Sequence, residues 1–246
     1  MNTSNNSEPQ RIVVLDTETT GMNIESGPHY LGHRIIEIGA VEIVNRKLTG
    51  RHFHVYIKPD REIQAEAIKV HGITDEFLLD KPMYREIHQE FIEFIRGAEL
   101  VAHNAPFDVG FMDHEFAKLS QPFGKTTDIC RVTDTLAMAK KIFPGKRNNL
   151  DILCDRYGID NSHRTLHGAL LDAEILADVY LLMTGGQTSL QFNAAGQGGA
   201  DSATDDIKRV AEGRKALKVL HATADELDAH QKRLELIDKK GTCLWR

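Results

Sequence analysis

The stretch Ile12-Val13-Val14-Leu15-Asp16-Thr17-Glu18-Thr19-Thr20-Gly21 decides the fold. Its four consecutive apolar residues predict a strand that is covered on both faces and lies centrally in its sheet. Side chains alternate along a strand, so Asp16 and Glu18 are expected on the same side at its end. Two carboxylates there repel each other unless a positive group joins them, and a divalent cation is the simplest candidate. Taken alone, the stretch fits equally well an ordinary strand end with two acids facing water.

Composition restricts the classes of protein that remain. With 246 residues and 41% hydrophobic side chains, the chain can form one large domain, or one domain with an appendage. No apolar run approaches the roughly 20 residues that a membrane span needs. Residues 1–10 are polar, predicting a disordered N-terminus and no export signal. Three widely spaced cysteines, Cys130, Cys154 and Cys243, fit reduced thiols in a cytoplasmic protein and form no zinc pattern.

The net charge of −6 is unevenly distributed along the chain. Residues 207–246 contain ten Lys or Arg and six Asp or Glu, whereas residues 1–206 contain 20 and 30. An acidic body argues against a broad, nonspecific nucleic-acid surface, which needs basic residues to neutralise phosphates. If the protein acts on nucleic acid, metal ions or partner proteins must supply part of the attraction.

Five strands are predicted along the first 135 residues. After the first, residues 35–44 and 53–57 alternate or run apolar, and short connections make the three an antiparallel meander. Pro59 ends the meander because proline cannot donate to a strand ladder. Residues 100–102 predict a fourth, buried strand and residues 128–132 a fifth.

Helical patterns occupy most of the remaining chain up to Gly185-Gly186. Helices are predicted from apolar periodicity, from a proline at a helix start and from glycines at helix ends. One helix begins near Pro106, with Asp108 in its first turn. The others span 83–96, 134–142 and 150–157, and a last one follows His167. Strands followed by alternating helices and strands predict an α/β protein in which a mixed five-stranded sheet is flanked by helices.

The composition changes sharply after residue 184. Residues 193–206 are mostly small and polar and predict a flexible linker. Two short amphipathic helices are expected beyond it, the second opened by the capping-box pattern Thr223-Ala224-Asp225-Glu226. Such a segment is too small for a core of its own, so docking on a partner is favoured over a frayed tail. The predicted organisation is therefore a disordered 1–10, a domain over 11–186, a peptide and linker over 187–206, and a helical tail over 207–246.

Three acidic positions are predicted at strand ends or helix starts: Asp16 with Glu18, Asp108, and Asp172. His167 precedes Asp172 by five residues, which on one continuous helix would place them about 140° apart. They converge only if His167 lies on the loop that enters the helix. Spacing alone does not select this histidine, and His71, His103 and His163 remain open.

Three segments of the chain resemble the exonuclease motifs of the DEDDh family. They are Asp16-Thr-Glu18-Thr-Thr-Gly21, His103-Asn-Ala-Pro-Phe107-Asp108 and His167-Gly-Ala-Leu-Leu-Asp172-Ala, and their order and intervals also match. Each motif alone is weak evidence for the resemblance, whereas three motifs in the same order and at matching intervals are strong evidence. Within the family, the similarity is greatest to the proofreading subunits of bacterial replicases and extends through the tail.

The resemblance implies a ribonuclease H-like fold and a 3′→5′ DNA exonuclease that uses two divalent cations, Mg²⁺ or Mn²⁺. By motif, Asp16 would bridge both ions, Glu18 and Asp172 would complete the site of the nucleophilic water, and Asp108 would support the second ion. Oxygen ligands suit hard cations, and two such ions can activate water and stabilise a leaving oxygen. His167 would be the general base, because histidine can be neutral at rest near pH 7 and accept a proton.

The same resemblance implies a pocket for the terminal nucleotide and two binding segments. Pocket residues would be Thr19, Gly21, Glu66, His71 and Phe107, although core packing of Phe107 and a scaffold role for the 66–71 segment fit equally. Gln187, Leu190 and Phe192 (in Gln187-Thr-Ser-Leu-Gln-Phe192) resemble the peptide by which bacterial proteins bind the sliding clamp. Residues 207–246 would bind the polymerase subunit, and a small accessory subunit on the exonuclease domain remains open.

Two other functions are compatible with parts of this sequence. A free-standing exonuclease of the same family, such as a ribonuclease T-like or oligoribonuclease-like trimmer, would have no use for the linker, clamp-like peptide and tail. A non-catalytic bridge between polymerase and clamp would not need four acids and a histidine. Substituting Asp16→Ala while measuring partner binding separates these classes, because a pure bridge would lose nothing.

Overall fold

The computed structural model describes residues 11–162, 164, 166–185, 221–239 and 241 of the chain. Residues 11–185 lie in one compact unit and residues 221–241 in a second, and each is described by itself. None of the helices in these described ranges has both the length and the apolar character that a bilayer span requires.

A five-stranded mixed sheet organises the first unit, with strand order β3-β2-β1-β4-β5. β1 pairs antiparallel with β2 and parallel with β4, β2 pairs antiparallel with β3, and β4 pairs parallel with β5. The strands are β1 (Arg11–Thr19), β2 (Ile35–Val44), β3 (Lys47–Tyr56), β4 (Glu99–Ala102) and β5 (Arg131–Asp134). The predicted fold class, the meander and the central place of the first strand are confirmed.

Seven α-helices and one short 3-10 helix, Glu76–Leu78, accompany this sheet in the described part of the first unit. The α-helices are α1 (Ala65–His71), α2 (Tyr84–Ile95), α3 (Ala105–Ala117), α4 (Thr126–Ile129), α5 (Thr135–Ile142), α6 (Leu150–Tyr157) and α7 (Ala169–Thr184). α2, α3 and α5 to α7 lie where the sequence predicts them, and Pro106 and Asp108 fall in the first turn of α3.

Two boundaries differ from the sequence prediction. The fifth strand begins at Arg131 rather than residue 128, because residues 126–129 form α4. Asp113 Oδ1 stabilises the first turn of α4 by accepting a hydrogen bond from the backbone N–H of Thr126 at 2.7 Å. The third strand begins at Lys47, earlier than residue 53. α1 is missing from the prediction, although its end at Gly72, with φ of +74°, is a recognisable C-cap.

Alternation along β1 sends its side chains into two cores. Val13 and Leu15 pack in a cluster that includes Phe91 of α2 and Phe111 of α3. Ile12 and Val14 pack on the opposite face, in a cluster with Ala173, Leu176 and Tyr180 of α7. By the same alternation, Asp16 and Glu18 follow Val14 toward the α7 face, whereas Thr17 follows Leu15 toward α3.

The second unit contains one described helix, α8 (Ala224–Asp238). Its predicted capping box is present: Glu226 Oε2 accepts from Thr223 N at 2.8 Å, and Thr223 Oγ1 accepts from Glu226 N at 3.3 Å. The predicted N-terminal segment 1–10, the clamp-like residues Gln187, Leu190 and Phe192, the linker 193–206 and the first tail helix lie outside the described residues.

Candidate active site

Asp16 and Glu18 stand at the carboxyl end of β1, and their charges are poorly tolerated there. Burial, together with the nearby carboxylates of Glu37 and Asp172, raises the pKa of Glu18 from 4.5 to about 8. Burial also raises the pKa of Asp16 well above its usual range, together with the charges of Asp108, Glu18 and Asp172. Such mutual repulsion makes this end of the sheet a strong attractor for positive charge.

Asp108 approaches the same strand end from α3. Its side chain is 2% exposed, and Thr17 Oγ1 donates a hydrogen bond to Asp108 Oδ1 at 2.8 Å. Burial raises the pKa of Asp108 to about 7, while the hydrogen bond from Thr17 acts in the opposite direction. The position in the first turn of α3 also favours a negative charge there. Thr17 and Asp108 therefore tie α3 to the side of β1 opposite α7.

His167 and Asp172 converge through a loop and a helix start. His167 lies before α7, Gly168 is the N-cap residue, and Asp172 is in the first turn. His167 Nδ1 lies 3.2 Å from Asp172 Oδ2. One ligand atom from each of Glu18, His167 and Asp172 falls within 4.8 Å of the others, which is close enough to hold one metal ion. Asp16 and Asp108 are not part of that described group, although both charges act on the site.

Of the four candidate histidines, the structure brings His167 to the carboxylates. His103 is turned to α5, with Nδ1 2.9 Å from Thr135 Oγ1. His71 lies at the end of α1 and lines a cavity that Glu18 and Phe107 also line. His163 lies outside the described residues.

Arg164 is a functional residue that the sequence reasoning missed. Its guanidinium contacts both oxygens of Asp172, through Nε at 2.5 Å and Nη2 at 2.8 Å, and Nη2 lies 2.7 Å from His167 Nδ1. Burial alone would raise the pKa of Asp172, but the hydrogen bonds and charges of Arg164 and His167 outweigh it and hold that pKa below its usual value. The signal was a lone Arg in the polar loop three residues before His167, which by itself indicates only solvent exposure.

Glu37 is a second residue missed by the prediction. It is 2% exposed on β2, directly opposite Glu18 in the strand register. Its Oε2 accepts from the backbone N–H of Ala169 at 3.2 Å, and its Oε1 lies 2.8 Å from His54 Nε2. Glu37 thus anchors the first residue of α7, the helix that carries Asp172. A Glu inside an apolar strand such as 35–44 was the available signal, since a carboxyl buried there needs partners.

All five residues predicted for the substrate pocket line one cavity of about 470 Å³, together with Glu18; they are Thr19, Gly21, Glu66, His71 and Phe107. His71 Nδ1 accepts from the backbone N–H of Ile73 at 3.0 Å, so its proton lies on Nε2. That Nε2 is buried and has no hydrogen-bond partner among the described residues. Burial lowers the pKa of His71, and the nearby backbone of Thr19 acts in the opposite direction.

Comparisons with known proteins agree with this geometry. A family model described as "Exonuclease" matches residues 13–180. The chain therefore belongs to the exonuclease family, and the 3′→5′ exonuclease activity expected from the motifs is confirmed. Over 237 residues it is 61% identical to DNA polymerase III subunit epsilon of Escherichia coli (strain K12), covering 96% of this chain and 97% of that one.

Solved structures show the same architecture at lower identity. The nuclease domain of 3′hExo, a DEDDh family member bound to rAMP, matches with a TM-score of 0.56 and 18% identity over 73% of this chain and 94% of that one. Exonuclease X in complex with 5′ overhanging duplex DNA matches with a TM-score of 0.51 and 23% identity over 71% and 91%. At these identities the two structures support the fold alone.

Proposed function

We propose that this protein is the proofreading 3′→5′ exonuclease of a bacterial replicase, and that it hydrolyses mismatched 3′ DNA termini to nucleoside 5′-monophosphates. The observation that carries the proposal is the convergence of Glu18, His167 and Asp172 within 4.8 Å, at the edge of a cavity of nucleotide size that Glu18 also lines. A buried acidic cluster beside such a cavity suits chemistry on a phosphodiester held by cations.

The donor set fits hard divalent cations. Asp16, Glu18, Asp108 and Asp172 offer carboxylate oxygens, and burial together with mutual repulsion leaves those of Asp16 and Glu18 short of positive charge. The position next to Asp172 already attracts a cationic side chain, that of Arg164. Two Mg²⁺ or Mn²⁺ ions held by these carboxylates would activate the attacking water and offset charge on the leaving 3′ oxygen.

His167 is the group placed to take a proton. Its side chain is 45% exposed, so water and substrate reach the ring, and both Asp172 Oδ2, at 3.2 Å, and Arg164 Nη2, at 2.7 Å, lie close to its Nδ1. An imidazole that is neutral at rest can accept the proton of an attacking water and release it to solvent. Asp172 therefore has two tasks, one toward the cation and one toward the base.

The cavity beside Glu18 is suited to one unpaired terminal nucleotide. The ring of Phe107 packs against Phe111 at 4.9 Å between centroids and is half-buried, so one part remains available to a base. Thr19, Gly21, Glu66 and His71 complete the lining of this cavity. A mismatched end costs less to unstack than a paired end, so selectivity needs no reading of base sequence.

Binding partners would bring this acidic enzyme to DNA. Gln187, Leu190 and Phe192 are proposed to bind the sliding clamp, and residues 207–246 to bind the polymerase (alpha) subunit. α8 supports the second assignment, because Leu227 and Leu236 of a well-capped helix are 58% and 51% exposed. Tethering two weak contacts raises their combined strength through effective concentration. A small accessory (theta) subunit on the exonuclease unit completes the proposed set.

The proposal is tested by comparing nucleotide release from paired and mismatched 3′ termini of one duplex sequence. Faster release from the mismatched end, with nucleoside 5′-monophosphate as product, is expected; equal rates would remove the proofreading assignment. Deleting residues 207–246 should abolish binding to the polymerase subunit and leave hydrolysis of single strands intact. The double substitution Leu190→Ala and Phe192→Ala should abolish binding to the sliding clamp and leave hydrolysis of single strands intact. Retained binding to the polymerase subunit or to the clamp would refute the corresponding assignment.

A further inference from the structure

The side chain of Arg164 is held inside the acidic site rather than in solvent. Only 7% of it is exposed, although it belongs to a polar loop. Nε and Nη2 take both carboxylate oxygens of Asp172, Nη2 also reaches His167, and Nη1 contacts Asp151 Oδ1 at 2.7 Å. All three nitrogens of the guanidinium are therefore engaged by named partners.

Two of those partners belong to the proposed metal and base machinery. A cation that used an oxygen of Asp172 would meet a guanidinium already bound there, and the two positive charges would repel each other at close range. A planar guanidinium that matches both carboxylate oxygens is among the stronger charged contacts in proteins. Arg164 and a divalent ion thus compete for the same ligand.

We propose that Arg164 is a built-in competitor of the divalent cation: it occupies Asp172 and aligns His167 until an ion displaces it. This inference rests on the proposed metal site. Arg164 offsets the repulsion among the acids, since its charge lowers the pKa values of Asp16 and Glu18 against the effect of burial. Asp151 lies at the outer end of the guanidinium and is 51% exposed, so Arg164 keeps one partner when it leaves Asp172.

Arg164 is a positioning residue, and its substitution should change the affinity for the metal ion in the direction opposite to that expected for a damaged site. A substitution that merely damages the site would weaken metal binding. Removal of a competitor instead tightens metal binding while the protein without metal becomes less stable, because the acids lose their positive partner. The two effects are measured separately and have opposite signs.

The experiment compares Mn²⁺ binding to the full chain by calorimetry, and unfolding in EDTA, for the wild type, Arg164→Gln and Arg131→Gln. Arg131 is the matched control, because it is 79% exposed at the start of β5, the opposite end of the sheet, and its substitution changes net charge equally. Arg164→Gln should bind Mn²⁺ about tenfold more tightly, as expected for removing one charged hydrogen-bonded partner, with lower stability in EDTA. Arg131→Gln should match the wild type.

Equal or weaker Mn²⁺ binding by Arg164→Gln would overturn the inference while leaving the metal site itself intact. Absence of Mn²⁺ binding in every variant would instead refute the proposed metal site, and this inference with it. If Arg164→Gln fails to fold, Arg164→Lys serves in its place, since a single ammonium cannot match both oxygens of Asp172. That variant should also bind Mn²⁺ more tightly than the wild type, and weaker binding would count against the competitor role.

Discussion

Gly39 is expected to control the position of Asp172 through its contact with α7. Gly39 pairs with Asp16 across β1 and β2, and a Cβ added to it would lie 2.1 Å from Leu170 N and 2.2 Å from the carbonyl carbon of Ala169. Ordinary contact begins at 3.4 Å, so Gly39→Ala must push the start of α7 away by about 1.3 Å. The colliding atoms are backbone and cannot rotate aside.

The expected cost is about 3 kcal/mol of unfolding free energy, the upper end for overpacking. A displacement of about 1 Å in a catalytic group lowers the rate roughly 100-fold, so nucleotide release should fall by that factor. Urea unfolding and steady-state release from single-stranded DNA measure the two effects. Gly168→Ala is the matched control at the same helix end, because its added methyl meets nothing within 4 Å, and it should change stability by less than about 1 kcal/mol. Wild-type stability and rate in Gly39→Ala would refute this reasoning.

The buried carboxyl and thiol groups give three further testable outcomes. Thr17→Val removes the hydrogen bond that Thr17 donates to buried Asp108. The free energy of unfolding, measured by urea titration, should fall by about 1–3 kcal/mol, and Mn²⁺ binding at pH 7, measured by calorimetry, should weaken. Unchanged values in both measurements would contradict this. In EDTA, the raised pKa values of Glu18 and Asp108 stabilise the folded protein fully below about pH 4.5, and this stabilisation is lost as the pH rises to 7 to 8. The melting temperature in EDTA should therefore fall between about pH 4.5 and 8, and Mg²⁺ should reduce the fall. A melting temperature that rises with pH in EDTA is the contrary result. Burial raises the pKa values of the Cys130 and Cys154 thiols to about 11, so iodoacetamide at pH 8 should label them only after unfolding. Mass spectrometry of the labelled native and denatured protein measures this. Rapid labelling of either cysteine in the native protein would be inconsistent with the structure.

Much of the fold could be predicted because its signals are local. The apolar run before Asp16 indicates a central strand, and the structure buries Val13, Val14 and Leu15 completely. The break between His167 and the helix start at Ala169 could also be predicted, since the two motif side chains converge only with the His on the entering loop. Both predictions depend on backbone periodicity, which neighbouring residues determine.

The remaining features depend on contacts between distant segments. α4 is stabilised by Asp113, whose side chain reaches Thr126 from another helix, so a local pattern could not reveal it. Arg164 turns inward because carboxylates from β1 and α7 meet beside its loop, which the loop sequence does not encode. Glu37 was accessible in principle, since an acid in a strand buried on both faces must have partners, but their identity requires the fold.

We propose that His167 and the four carboxylates carry out metal-dependent hydrolysis. This is tested by the release of labelled nucleotide from a 3′-labelled single-stranded DNA, with Mg²⁺ and with EDTA. The wild type is compared with Asp16→Ala, with His167→Ala and with the control His230→Ala, a histidine that is exposed on α8. Release by the wild type and His230→Ala should require Mg²⁺, His167→Ala should be slower by roughly 10²–10⁴-fold, and Asp16→Ala should be inactive. Release in EDTA, or a wild-type rate in His167→Ala, would contradict the account.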